Sequence, residues 1–238
     1  MLREAIGKPL DHDPDFRWRG EAVTRIENLS DIAFALALGM IVAGGLEPPR
    51  SFGDMVRFLY FMVPAAAGFA VLLSIWTAHY TFFRRYGVAD GRIIFLNAVL
   101  IFLVLGVAYP LRFTFDSLYA WIIGLTTGDF TRHVEIGVMD FETSGTIIAI
   151  FAAIYGVAFV LLALMYRHVL SRRDLLKLDA RELARTKADH LRFWLSAGLA
   201  FSVMLLGGFT PLNGFAGFFL SFTGLCALVA NRVHDRPG

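Results

Sequence analysis

Six long apolar segments constrain the fold of this chain more than any other feature of its sequence. A helix that spans a membrane needs roughly 20 mostly apolar residues, because it rises about 1.5 Å per residue across about 30 Å of hydrocarbon. Segments of this kind lie at residues 23–43, 56–83, 93–109, 145–166, 191–209 and 212–230. The sequence therefore predicts an all-α integral membrane protein with six transmembrane helices.

The composition favours a membrane domain over a soluble one. Hydrophobic residues make up 57% of the chain and charged residues 18%, whereas soluble domains carry about 25% charged residues. The net charge of +2 gives no argument for a nucleic-acid partner. One cysteine, Cys226, cannot form a disulfide within the chain. Residues 1–20 contain no apolar run, so we expect the first apolar helix to act as the targeting signal.

The placement of basic residues predicts how the helices are oriented. If the N-terminus is cytoplasmic, 18 of the 22 basic residues lie in or directly beside the four cytoplasmic segments. This is a strong positive-inside bias, which an odd number of spans would lose. The predicted organisation is a cytoplasmic arm at residues 1–22, a transmembrane domain at 23–232 and a cytoplasmic tail at 233–238. The basic residues outside this pattern are Arg50, Arg57, Arg112 and Arg132.

Glycines, prolines and charges predict the connections between the spans. Glycines and prolines at positions 44–49 end the first helix, Pro64 is a possible kink in the second, and Pro110 ends the third. Residues 111–143 then form a long outer loop, whose apolar patch at 118–123 is too short to span. The charged stretch 171–189 is expected to continue the fourth helix or to lie on anionic lipid, with a solvated helical linker as the alternative. Residues 207–213 predict a tight turn between the fifth and sixth helices.

Polar side chains within the first three apolar segments are the candidate functional residues, because they are costly in a bilayer unless they find partners. Asp31 lies about two turns into the first segment and about 120° around the helix from Arg25, so these two do not pair on one face. Trp76 and His79 share a face of the second helix. Indole, imidazole and amide groups supply the donors that a carboxylate and a hydroxyl need. The sequence predicts an interhelical polar clamp formed by Arg25, Ser30, Asp31, Trp76, His79 and Asn97.

Other roles for these residues stay open at this point. Ser30 and Asp31 could take part directly in ion passage or proton exchange. His79 could ligate a haem or a metal, although a haem usually needs two histidines on facing helices and only His79 lies clearly inside a span. The corresponding alternative class is a small membrane enzyme, a redox subunit or an assembly partner. The sequence contains no Gly-rich phosphate loop and no His-Glu-x-x-His motif.

Three separate segments carry a resemblance to a known family. The run Arg25-x-x-x-Leu29-Ser30-Asp31 is similar to the Arg-x-x-x-Phe-Ser-Asp signature of the transmembrane-protein-175 family of potassium channels, with Leu29 in place of Phe. Trp76-x-x-His79 and Asn97 are similar to that family's second and third helices. The resemblance is clear over residues 20–112. It implies a tetramer of single-repeat subunits, as in the bacterial members, whose first helix lines a central pore.

The resemblance also implies which residues line that pore. By position, the apolar constriction falls on Leu36, five residues after Asp31. Ile32, Leu36, Gly39 and Ala43 lie within about 60° of one another around the helix and form the implied pore-lining stripe. Taken alone, such a stripe indicates packing or lipid contact equally well. Gly39 stands where many family members have Thr, so a hydroxyl ring is missing, which carbonyl exposure or a wider pore could compensate.

The family therefore implies a homotetrameric cation channel and not an enzyme. Potassium is the expected permeating ion, and no cofactor or metal is expected beyond permeating monovalent cations. The expected partners are further copies of the chain and membrane lipids, with no nucleic acid. The expected location is a bacterial inner (plasma) membrane, with the chain crossing it several times.

Overall fold

The computed structural model describes residues 16–20, 23–44, 48–129 and 141–234, and the regular elements within these ranges are helices without any strand. The elements are α1 (Arg25–Ala43), α2 (Phe52–Tyr86), α3 (Gly91–Thr127), α4 (Phe141–Ser171), α5 (Ala180–Phe209), a 3₁₀ helix (Asn213–Phe222) and α6 (Thr223–His234). They supply six helical segments that are long and apolar enough to cross a membrane. The predicted fold class is confirmed.

Short polar side chains fix where most of these helices begin. An N-cap side chain accepts a hydrogen bond from a backbone N–H of the first turn, which otherwise lacks a partner. Glycines end two helices in the left-handed region, which a residue without Cβ adopts at little cost: Gly87 at φ 60° and Gly128 at φ 73°. The N-cap residues are Thr24 for α1, Ser51 for α2, Asp90 for α3 and Asp179 for α5.

The third helix continues through Pro110 to Thr127, so the prediction that it ends at this proline is wrong. A proline removes one backbone hydrogen bond, but a membrane helix tolerates this where neighbouring groups satisfy the freed backbone. Here Leu111, directly after the proline, is buried in the core cluster, so packing against the neighbouring helices keeps this segment helical. Residues 111–127, including the apolar patch 118–123, are helix and not an outer loop. Residues 130–140 of the predicted loop lie outside the described residues.

The fourth helix ends at Ser171, residues 172–179 form a turn, and only residues 180–189 of the charged stretch belong to the fifth helix, so the expected continuation of the fourth helix is wrong. The chain turns after Ser171, where the Leu176 N–H donates to the Arg172 carbonyl at 3.0 Å. A capping box then starts α5: Asp179 accepts from the Glu182 N–H at 2.8 Å, and the Glu182 carboxylate accepts from the Asp179 N–H at 3.2 Å. Asp179 and Glu182, three positions apart, are the sequence signal for the start of α5, and the prediction did not use it.

The last apolar segment is a 3₁₀ helix that leads into α6. The turn before it begins after Phe209, so Gly207 and Gly208 are still helical and the turn starts three residues later than predicted. Small residues bring the neighbouring backbones together, because a Cβ on Gly145 would overlap the Gly207 carbonyl. The Gly214 N–H also donates to Ser144 Oγ at 3.1 Å. The sixth segment is thereby held against α4 and α5.

Aromatic side chains pack α2, α4 and α5 together in the core of the subunit. The ring centroids of Phe82 and Tyr166 are 5.3 Å apart, and those of Tyr166 and Phe193 are 5.2 Å apart. Tyr86 packs edge-on against Tyr166 in the same buried cluster. The first helix packs on α2 and α3, and α3 in turn packs on α4. The first helix therefore lies at the margin of the subunit, with only one side covered.

Candidate functional site: the polar clamp and the first helix

A chain of hydrogen bonds joins α1, α3 and α2 through buried polar side chains. Ser30 Oγ donates to the Ile26 carbonyl at 2.8 Å, so its lone pairs are free to accept from Asn97 Nδ2 at 2.8 Å. The Asn97 carbonyl oxygen then lies 2.8 Å from His79 Nε2, which must donate. This order of donors assigns the proton of the neutral imidazole to Nε2. These bonds limit the rotation of α1 relative to α2 and α3 near the beginning of the helix.

Asp31 makes a second link between α1 and α2. Its carboxylate accepts from the indole N–H of Trp76 at 2.9 Å, and the indole ring stacks on Tyr80 with centroids 5.3 Å apart. Asp31 is exposed within the single subunit, in contrast to the buried Ser30, His79 and Asn97. Five of the six predicted clamp residues thus lie together, and their hydrogen bonds attach two adjoining faces of the first helix to the second and third helices.

Arg25 is the predicted clamp residue that the structure leaves apart. It is the first residue of α1, it is exposed, and among the described residues it makes no hydrogen bond or ion pair. A cation in the first turn of a helix is also unfavourably placed for the helix dipole. Arg25 and Asp31 belong to the same signature motif, but only Asp31 takes part in the clamp.

The first helix has two contrasting faces. Phe34, Ala37 and Ile41 are buried, with Ile41 at 0% exposure. Ile32 and Leu36 on the other side are 67% and 56% exposed, although both are large apolar side chains. Gly39 and Ala43 are exposed on the same side, and a Cβ on Gly39 would meet nothing within 4 Å. The stripe assigned from the resemblance coincides with the open face of α1 in the single subunit.

His79 is placed as a partner for other side chains in its buried surroundings. Its ring lies 5.6 Å from the Phe34 ring and 4.8 Å from the Phe83 ring, centroid to centroid, and its Nδ1 is buried without a hydrogen-bond partner. No group of three or more His, Cys, Asp or Glu side chains in the described part of the chain could hold a metal ion. The observed contacts favour the clamp role over the ligand role for this residue.

Residues 16–20 of the N-terminal arm pack across the ends of α2 and α5, which sequence reasoning did not anticipate. Arg19 forms a two-pronged ion pair with Glu182, with distances of 3.0 and 2.6 Å to its two oxygens. The Gly20 N–H donates to the Arg84 carbonyl at 3.1 Å. A second pair, Arg85 with Asp189 at 2.7 Å, lies buried beside it. Arg19 and Arg85, two of the basic residues that predict the orientation of the chain, also hold the arm and the helices together.

Arg112 is the polar residue that sequence reasoning placed wrongly. Expected in an outer loop, its side chain is 3% exposed inside the bundle. Its guanidinium donates to Asp116, to the Ile41 carbonyl of α1 at 2.6 Å and to the Phe61 carbonyl of α2 at 3.0 Å. A basic and an acidic residue four positions apart in an apolar stretch were the available signal, since such pairs share one helix face.

These features define a class of protein. Six apolar helices, a polar clamp around the start of the first helix and an open apolar face along that helix belong to a multi-pass helical membrane protein.

Comparison with known proteins narrows this class. Residues 25–107 match the family model "Endosomal/lysosomal potassium channel TMEM175". A protein of Marivirga tractuosa named "Potassium channel" is 29% identical over 227 residues, covering 92% of this chain and 89% of the relative. The crystal structure of a variant of the potassium channel MtTMEM175, in complex with a nanobody–MBP fusion protein, is similar with a TM-score of 0.79 and 26% identity, covering 95% of this chain and 99% of that chain.

The chain therefore resembles the TMEM175 family in sequence and in fold, as the motif of the first helix indicated. The matched range 25–107 contains every predicted clamp residue and the whole apolar stripe. It ends before Arg112, so the family model carries no information about the Arg112 contacts.

Proposed function

We propose that this chain is one subunit of a homotetrameric potassium channel, in which α1 lines a central pore and Leu36 forms its apolar constriction. The single observation that carries the proposal is the open face of α1. Ile32 and Leu36 are more than half exposed in the subunit, while Phe34 and Ile41 on the opposite face are buried. The relatives named as potassium channels support the same function.

The residues around this face favour contact with other copies over contact with lipid. Ala35, Gly39 and Ala43 are exposed and spaced four residues apart, so small side chains follow one line along the helix. Spacing of this kind lets membrane helices approach one another closely. Asn28 and Asp31 are exposed at the start of the same helix. Polar groups beside an apolar stripe suit the mouth of a water-filled pore better than a lipid-facing surface.

The mechanism proposed for selectivity is hydrophobic constriction. A ring of Leu36 side chains narrows the pore and excludes water when the ring is small, without a separate plug. Gly39 lies less than one turn beyond and presents no side chain, so backbone carbonyls and water are the groups that can replace part of the hydration shell of an ion. This arrangement needs no enzyme chemistry, and no cofactor is proposed beyond the permeating monovalent cations.

The proposed setting follows from the charge pattern and the fold. Both termini are placed on the cytoplasmic side of a bacterial inner membrane, because basic residues concentrate in the segments that this orientation puts inside. The proposed partners are three further copies of the chain and the surrounding lipids, with no nucleic acid.

Ion flux through the purified protein tests the proposed function. The full chain is reconstituted in liposomes with a potassium gradient, and potassium and sodium fluxes are measured in parallel with protein-free liposomes. The proposal predicts a potassium flux that exceeds the sodium flux. A Leu36→Trp variant should reduce both fluxes, since a larger side chain fills the proposed ring. If wild-type and protein-free liposomes leak equally, the channel function is wrong.

A further inference from the structure

Arg112 connects three helices at the end of the bundle opposite the clamp. Its Nε donates to both carboxylate oxygens of Asp116, at 2.9 and 2.7 Å. One terminal nitrogen donates to the Ile41 carbonyl of α1 at 2.6 Å, and the other donates to the Phe61 carbonyl of α2 at 3.0 Å. All three nitrogens of the guanidinium thus hold an acceptor, each in a different helix.

The position of the Ile41 carbonyl in α1 explains why the Arg112 guanidinium lies beside it. Ile41 lies in the last turn of the helix, where carbonyl groups lack the N–H donors of a following turn. A guanidinium at this end also suits the negative end of the helix dipole. A buried charge in a bilayer is tolerated only when it is paired, and Asp116, one turn further along α3, supplies the countercharge. The Arg112–Asp116 pair therefore caps α1 from outside that helix.

The positions of the two attachments matter for the first helix. Ser30 joins α1 to Asn97 near its beginning, and Ile41 joins it to Arg112 near its end. The attachments are separated by about 16 Å along the helix axis. Leu36 lies midway between them, on the face that neither attachment covers. A roll of α1 about its own axis would change the direction in which the Leu36 side chain points. The same roll would break at least one of the two attachments.

We propose that Arg112 is a positioning residue for the constriction, because it fixes the roll of α1 and so the direction in which Leu36 points. This inference rests on the proposed channel function. Lysine cannot replace arginine here, since an ammonium is a compact group that does not reach three acceptors in a plane, whereas the guanidinium fork does. The charge alone is not sufficient; the geometry of the fork is required.

Cysteine cross-linking tests the roll of α1 directly. Cys226 is replaced by serine, single cysteines are introduced as Leu36→Cys or, on the covered side of α1, as Leu38→Cys, and disulfides between subunits are formed by mild oxidation of the full chain in liposomes. With Arg112 present, the cysteine at position 36 should cross-link more efficiently than the one at 38. In an Arg112→Lys background this ratio should fall by about threefold or more, the equivalent of one average interhelical hydrogen bond.

Flux measurements on the same variants complete the experiment. Arg112→Lys should lower the ratio of potassium to sodium flux, and Asp116→Asn should act in the same direction with a smaller effect. Arg92→Lys, at an exposed position near the other end of α3, is the matched control. If wild type shows no flux, the channel function fails, while the cross-linking ratio still reports on Arg112. Unchanged cross-linking and flux ratios in Arg112→Lys would overturn the inference. Loss of assembly in both Arg112→Lys and Asp116→Asn would overturn it as well, because Arg112 would then serve folding alone.

Discussion

The indole N–H of Trp76 donates to the carboxylate of Asp31 across 2.9 Å, and this bond ties the second helix to the first. It lies one residue away from the buried bond between Ser30 and Asn97, on an adjoining face of the same helix. The first helix is therefore held from two directions at one level, which limits both its tilt and its rotation there.

Removing the Trp76–Asp31 bond should weaken the assembly before it alters ion preference. Asp31→Ala and Trp76→Ala are expected to lose oligomer or fold, because each removes the hydrogen bond that ties the first helix to the second. Trp76→Phe, which keeps an aromatic ring, should cost about 0.6–1.7 kcal/mol. Thermal unfolding and size-exclusion chromatography in detergent measure both effects.

Trp194→Phe is the matched control, since Trp194 is an exposed residue of α5. Variants of Asp31 and Trp76 that assemble normally and change only selectivity would contradict the clamp role and favour a direct role in the pore.

Shortening Leu36 should widen the proposed constriction. Leu36→Ala is expected to raise conductance and to reduce discrimination between potassium and sodium, and Leu36→Asn should give a leaky, poorly selective pore, because the ring then admits water. Parallel potassium and sodium fluxes in liposomes measure these changes. Leu38→Ala is the control, since Leu38 is partly buried against the core and its loss should affect packing only. Equal fluxes for Leu36→Ala and wild type would remove the constriction from position 36.

Adding a methyl group to Gly20 should release the N-terminal arm. A Cβ at this position would overlap the Phe83 carbonyl, whereas one on Gly91 would meet nothing within 4 Å. Overpacking of this kind costs about 1–3 kcal/mol, so trypsin should cleave after Arg17 and Arg19 about fivefold faster or more in Gly20→Ala than in wild type. Gly91→Ala should be cleaved at the wild-type rate. Equal cleavage of Gly20→Ala and wild type would mean that the arm does not depend on this close approach.

The pair formed by Asp90 and His168 predicts a stability change in acid. Burial of the Asp90 carboxyl raises its pKa, but hydrogen bonds from His168 at 2.5 Å and from the Ile93 N–H outweigh that effect, and the pKa lies below its ordinary value of 3.8. A carboxyl whose pKa is lower in the folded state stabilises the protein above its unfolded pKa, and this contribution is lost as the pH falls through the folded value.

Thermal unfolding of wild type and Asp90→Asn between pH 3 and pH 7 measures this contribution. The variant should be less stable at neutral pH, and the difference should shrink below about pH 4. A difference that stays constant over the whole range would show that ionisation of Asp90 does not contribute.

The orientation of the chain is a separate prediction from the basic residues. Both termini should be inaccessible to a membrane-impermeant thiol reagent in whole cells, when single cysteines are placed at Asp13 or at Pro237 in a Cys226→Ser background. The reagent should reach both sites only after the membrane is permeabilised. Labelling of either site in intact cells would reverse the orientation or change the number of spans.

The sequence predicted the number of helices well because hydropathy and the length of a bilayer-spanning helix leave few alternatives. It also brought Ser30, Asp31, Trp76, His79 and Asn97 together, since polar groups in apolar segments need one another. It failed at Pro110, where a local rule for helix breaking was applied without the neighbouring helices that make the proline tolerable. The error at Arg112 followed directly, because a residue assigned to a loop was not expected to have buried partners.

The order of the clamp residues along the chain has a consequence for how this protein is made. Trp76 follows Asp31 by 45 residues, and Asn97 follows Ser30 by 67. At about 5–20 residues per second, the first helix is synthesised roughly 3–13 seconds before Asn97 exists. Until Trp76 has been made, Asp31 lacks its partner and must be hydrated or held by the insertion machinery, and until Asn97 has been made, Ser30 has only its bond to the Ile26 carbonyl. The bonds that fix the first helix therefore form only after the second and third helices have been synthesised.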